Sequence, residues 1–244
     1  MYAMKMTLSI LQVTLLLSLL LVPSGLRAQD QDKLKDRIIK NVWEAMYGEL
    51  SPDDLQTLYF ESYFHGREVP GKIYVKRPNQ FRNESEGITL IFDGEHAAII
   101  DGSKADKGEA GGISLVDSAF LSHFEVDIAL AFPAFFEYPS EYRGKVQVGT
   151  SDCWELFVGL PHGGHLSYFI DTSSYLVIRR LVSWDGDPEQ ELWENIISGY
   201  HEYKGILFES GYSFKGHEGQ EEGFFRNAKF NLDLDDALFR VPEK

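Results

Sequence analysis

The residues most able to do chemistry in this chain lie in Leu160-Pro161-His162-Gly163-Gly164-His165. A His-Gly-Gly run can offer backbone N–H groups to an oxyanion, and two neighbouring imidazoles can begin a metal site. Hydrolysis on a nucleophile elbow also needs Gly-x-Ser-x-Gly, and here Gly211-Tyr212-Ser213 runs into Phe214-Lys215 without the second glycine. A zinc site needs a third ligand, whereas His162 and His165 flank a turn signal and the remaining His are scattered. Cys153, the single cysteine, stands at a strand start beside Trp154 with nothing near it in sequence to lower its pKa, so it reads as a structural thiol. Asp233, Asp235 and Asp236 lack the Gly and terminal Glu of a calcium loop. The expectation is no catalytic residue, no metal and no cofactor, hence not an enzyme.

Apolar chemistry is better represented. The 17 Phe, 12 Tyr and 4 Trp suit a large pleated, half-buried surface. Between Val116 and Phe136 the chain carries Phe120, Phe124, Ile128, Phe132, Phe135 and Phe136 with few charges. This reads as one or two short helices broken at Pro133, too apolar to face water. Such a segment is either a fixed plug at the open end of a sheet or a lid over a ligand cavity.

The elements that must position these residues are mostly strands. Leu34, Ile38, Ile39, Val42, Trp43 and Met46 recur at spacings of three and four before Gly48, which predicts an N-terminal helix with one apolar face. From Leu55 the period becomes two, through Leu58–His65 and Lys72–Arg77. Shorter runs follow at Phe81–Glu84, Ile88–Phe92 and Ala97–Asp101, and the small, charged stretch Ser103–Gly112 reads as a mobile loop. Strand signals resume at Lys145–Val148, Trp154–Leu160, Leu166–Ile170 and Leu176–Leu181, and then at Glu191–Tyr203, Ile206–Phe214 and Phe224–Asn231. A meander of about ten or eleven strands with no helix between neighbours is antiparallel, α+β in class, and must curl into a half-open barrel. Alternation assigns Leu58, Phe60, Phe64, Ile73 and Val75 to the inner face, continued by Phe81, Leu90 and Phe92. In the second half it assigns Trp154, Leu156 and Val158, then Leu166, Tyr168 and Ile170.

Lys5, the apolar tract Leu8–Val22, the break at Pro23-Ser24-Gly25 and the small residue Ala28 together resemble a secretory signal peptide cleaved near Ala28. That leaves a single domain over residues 29–244, with no cysteine at its start to accept a lipid anchor. Loss of Lys5 and Arg27 takes the formal charge from −15 to −17, which argues against nucleic acid and anionic bilayer surfaces as partners.

Several landmarks resemble one family. Val75-Lys76-Arg77-Pro78-Asn79-Gln80-Phe81-Arg82 followed by Phe92-Asp93-Gly94-Glu95 is similar to the strand pair that opens the outer-membrane lipoprotein carrier (LolA-like) and lipoprotein-sorting family. Tyr168-Phe169-Ile170-Asp171, Arg179, Tyr203-Lys204-Gly205-Ile206, Phe230-Asn231 and Leu238-Phe239-Arg240-Val241-Pro242 resemble its closing strands in the same order. Ala97 and Ala98, where an aromatic residue is expected, mark a divergent member. The resemblance implies a half-open barrel lidded by helices. It also implies a soluble, monomeric periplasmic carrier that takes acyl chains of lipids or lipoproteins and meets inner- and outer-membrane transport proteins. The same fold could serve instead as an envelope sensor that binds a partner protein, or as a hydrolase using His162 or His165.

Overall fold

A computed structural model describes residues 24–64, 69–105, 112–185, 193–216 and 219–242. The expected signal peptide therefore lies outside the described residues up to position 23, and its cleavage point falls inside the first helix, α1 (Ser24–Tyr47). The chain divides into two compact units, residues 1–38 and 39–244. In the second unit Val42, Trp43, Met46 and Tyr47 of α1 are buried, and Gly48 ends the helix at φ 64° with its N–H donating to the Glu44 carbonyl at 3.1 Å. Glycine takes this left-handed conformation at no steric cost, which is why the helical period stops there.

Among the described residues thirteen antiparallel strands follow: β1 (Thr57–Phe64), β2 (Gly71–Lys76), β3 (Gln80–Ser85), β4 (Ile88–Phe92), β5 (Ala97–Asp101), β6 (Ile113–Leu115), β7 (Ser140–Val148), β8 (Ser151–Gly159), β9 (Gly164–Asp171), β10 (Val177–Trp184), β11 (Trp193–Tyr203), β12 (Ile206–Gly216) and β13 (Gly219–Phe230). Their spatial order is β6-β5-β4-β3-β2-β1-β13-β12-β11-β10-β9-β8-β7. Two meanders are thus joined where β1 pairs with β13, Leu58 opposite Phe230. β6 and β7 stand at opposite edges, so the sheet is curved but not closed. Thirteen strands exceed what an open twisted sheet holds flat, and bulges in β1, β10, β11 and β7 add local bend.

Thirteen strands exceed the ten or eleven expected; twelve coincide with the runs named above, and only β6 has no counterpart among them. β6 spans only three residues, too few to show a period. β7 begins at Ser140 instead of Lys145 because its first residues form a polar edge strand with no apolar face. Of the expected loop at Ser103–Gly112, Ser103 to Ala105 belong to a single helical turn, Gly102–Ala105, and 106–111 lie outside the described residues, as do 65 and 191–192 of two expected strands.

The connection from β6 to β7 carries α2 (Leu121–Ala131) and a 3₁₀ turn, Ala134–Phe136, separated at Pro133. This is the break expected from the missing proline N–H. α2 lies across the sheet, touching β3 on one half and β9 on the other.

Candidate functional site

α2 is nearly apolar all round, so it is stable only when covered on most sides. Leu121, Phe124 and Ile128 pack into the cluster formed by Leu58, Phe60, Val75, Phe81 and Phe92. The Phe124 ring centroid lies 5.8 Å from that of Phe92 and 6.4 Å from that of Phe81. Burying each such side chain stabilises the fold by about 1.5–3 kcal/mol.

Two polar attachments fix the helix further. The buried Tyr168 hydroxyl donates to the Ala129 carbonyl at 3.1 Å and accepts from the Ala134 N–H at 2.9 Å. The buried Glu125 carboxylate accepts from the His162 N–H at 3.0 Å and meets His162 Nδ1 at 2.9 Å. Tyr168→Phe would leave the Ala134 N–H without a partner in a dry site, a loss of about 1–3 kcal/mol. Urea denaturation is expected to show that loss, and hydrogen exchange to show faster opening at residues 129–134. Unchanged exchange there would mean that the hydroxyl does not hold the helix.

Beneath α2 the concave face leaves a cavity of about 380 Å³, within the roughly 300–1,000 Å³ of small-ligand sites. One wall is aromatic and aliphatic: Phe60 and Phe64 from β1, Ile73 from β2, Phe81 from β3 and Phe225 from β13. α2 contributes Val126, Leu130 and Ala131, with His123 near its N-terminal end and Asp127 at its middle. The far side brings Arg180, Trp184, Trp193, Asn195 and Glu209 from β10, β11 and β12.

Arg180 is 1% exposed and Glu209 4%. One guanidinium nitrogen bonds Asn195 Oδ1 at 2.9 Å and Glu209 Oε2 at 3.0 Å, and the other bonds Glu209 Oε1. Burial pushes the guanidinium pKa down, and the charge and hydrogen bonds of Glu209, with smaller contributions from Tyr200 and Tyr168, together more than offset it. Asp127, by contrast, has no side-chain partner among the described residues. Burial pushes its carboxyl up to about 7, the response of a partly buried carboxylate with no counter-charge beside it.

The residues expected to face the interior divide into two groups. Phe60, Phe64, Ile73 and Phe81 line the cavity. Leu58 and Val75 instead bound a void of about 10 Å³ beside Tyr47 and Phe132, and Phe92 and Leu90 belong to the packed cluster. Trp154, Leu156, Val158, Leu166, Tyr168 and Ile170 are all buried. None of the six lines the cavity, and α2 and the 3₁₀ turn pack against their strands. Of the expected lid, Phe124, Ile128, Phe132 and Phe135 are buried. Phe136 is half-buried, its ring centroid 5.0 Å from Trp43, and Phe120 is 58% exposed.

The candidate chemistry resolves into structural pairs. His165 Nε2 meets Asp185 at 2.8 Å as His162 meets Glu125. Buried Cys153 has its thiol pKa raised by burial and then by Asp171 and Asp152. Asp235 accepts from the Ala237 N–H at 2.9 Å, and Asp236 pairs with Lys76. Among the described residues no group of three or more His, Cys, Asp or Glu is placed to hold a metal ion, and no helix is long and apolar enough to cross a membrane.

No protein-family model and no curated protein sequence matches the chain. Solved structures do. A DUF1329 family protein from Desulfovibrio piger aligns with a TM-score of 0.55 and 13% identity, covering 87% of this chain and 96% of that one. A LolA superfamily protein from Nitrosomonas europaea aligns at 0.55 and 10%, covering 84% and 96%. A proposed outer membrane lipoprotein-sorting protein domain from Vibrio parahaemolyticus aligns at 0.54 and 10%, covering 84% and 97%. At such identities the likeness speaks for architecture, and the chain has the LolA-like fold, a divergent version of the open antiparallel half-barrel.

Proposed function

We propose that this chain is an exported carrier that shelters the alkyl chain of a lipid or lipoprotein in the cavity beneath α2. The observation that carries this reading is a space of about 380 Å³ walled by Phe60, Phe64, Ile73 and Phe81. Each methylene withdrawn from water contributes about 0.8 kcal/mol, so a chain of several carbons is held without any polar contact. The lipoprotein-sorting description of one structural neighbour supports the same role. Residues 1–28 then act as the export signal, residues 29–244 as one carrier domain, and the periplasm as its place of work. The packed part of the aromatic segment, from Phe124 to Phe135, serves as a fixed cavity wall. Displacement on loading is confined to the end that holds exposed Phe120.

Native mass spectrometry of protein purified from a bacterial envelope, followed by organic extraction, tests the reading. A mass excess that resolves into alkyl-bearing species is expected. Protein at its bare mass that also fails to take up added fatty acid would overturn it. A second reading has its own support: Ile99 on β5 and Ile113 and Leu115 on β6 are 40–45% exposed beside a free sheet edge, a surface suited to a protein partner. A stable protein complex in place of extractable lipid would favour that sensor role.

A further inference from the structure

The cavity is not apolar throughout, and its polar end has a definite electrostatic character. Arg180 is the single cation among the described lining residues, and its charge is taken up by Glu209 and Asn195. Asp127 and Glu221 are further lining acids, with no ion pair among the described residues. Burial holds the His123 pKa below its ordinary value, so this ring adds no positive charge at neutral pH. An anionic head group entering here would find no free cation.

The same end is built of aromatic faces. His123 stacks on Trp184 with centroids 4.8 Å apart, Trp184 meets Trp193 edge-on at 4.7 Å, and Trp193 meets Phe214 edge-on at 5.1 Å. Two indoles inclined at 77° form a corner, and indole is the strongest side-chain receptor for ammonium groups. His123 and Asp127 stand four residues apart, on one face of α2. The next residues along that face, Leu130 and Ala131, belong to the greasy wall. The stripe therefore runs from carboxylate and aromatic rings to aliphatic side chains, in the order of an amphiphile's head and tail.

We propose that the cavity takes a cationic amphiphile, an alkylamine or alkylammonium, with its head between Asp127 and the Trp184–Trp193 corner and its tail along Leu130, Ile73 and Phe60. This rests on the carrier reading and narrows its ligand class. The cation supplies the counter-charge that Asp127 lacks, so binding draws a proton off the carboxyl and tightens as pH rises through about 7. The other ionisable side chains facing the cavity are His123, Arg180, Glu209, Glu221 and Tyr212. Arg180 and Glu209 are paired through the two terminal guanidinium nitrogens, with Arg180 Nε unpartnered among the described residues.

Calorimetric titration of the full chain with dodecyltrimethylammonium, dodecanol and dodecanoate, each below its micelle concentration, tests this. The ammonium is expected to bind at least tenfold more tightly than dodecanoate and to gain affinity between pH 6 and pH 8. Asp127→Asn is expected to abolish both the preference and the pH dependence at a Tm near wild type. Equal affinity for the three heads, or a preference that survives in Asp127→Asn as general attraction to an acidic protein would, overturns the head-group assignment and leaves the carrier role standing. No binding of any of the three overturns the carrier role and the assignment together.

Discussion

Arg180→Met is expected to lower stability by about 3–5 kcal/mol, because it strands the Glu209 carboxylate in a site that water does not reach. At roughly 2–4 °C per kcal/mol for a domain of this size, Tm falls by about 6–20 °C. The pair itself is not the source of that stability. Desolvating two ions costs nearly what their attraction returns, so Arg180→Met combined with Glu209→Leu should recover most of the loss. Thermal denaturation of the single and double variants separates the two effects. A single variant within about 1 kcal/mol of wild type would mean that Glu209 finds water or another partner, and that the cavity floor is wetter than its 1% and 4% exposures indicate.

Ile73→Trp carries the largest expected effect on binding. Ile73 is paired with Phe60 on one side and Asn83 on the other, and all three line the cavity. An indole here projects into space that a ligand tail would occupy. Excluding about two methylenes at about 0.8 kcal/mol each removes about 1.6 kcal/mol, close to a 15-fold loss of affinity. Because Ile73 is only half-buried and borders open volume, the overpacking cost stays below the roughly 1–3 kcal/mol seen in filled cores. Calorimetry with dodecanol should show the weaker binding at near-native Tm. Unchanged affinity would place the tail elsewhere.

The strands were legible because alternation persists through most of them, and the break in the helical segment because proline cannot continue a helix. What alternation cannot show is what covers a face. Phe60 and Ile73 border empty space, whereas Leu156 and Leu166, with the same period, are sealed in the packed interior. That difference is set by where α2 lands, a tertiary fact.

The polar half of the site was hidden for a second reason. A bulge between Val177 and Arg179 shifts the register of β10, so counting by twos from Val177 turns Arg179 inward, whereas Arg180 is the buried residue. Irregular pairing between Gly199 and Tyr200 of β11 and its partners on β12 likewise accompanies the burial of both Phe208 and Glu209, adjacent residues that strict alternation would place on opposite faces. Asp127 gave one local signal, an acid beside Glu125 in a mostly apolar helix, and its meaning depended on the missing counter-charge.

A ligand chain entering the space beneath α2 would be reported directly by the tryptophans. Trp184 and Trp193 line the cavity, while Trp43 packs with Tyr47 and Phe136 and Trp154 with Tyr175 away from it. Titration with a bromine-bearing alkyl chain should quench tryptophan emission saturably in the wild type, and the quenching should vanish when Trp184 and Trp193 are both replaced by Phe. Quenching that persists undiminished in that double variant, or no saturable quenching at all, would contradict the cavity as the place of binding.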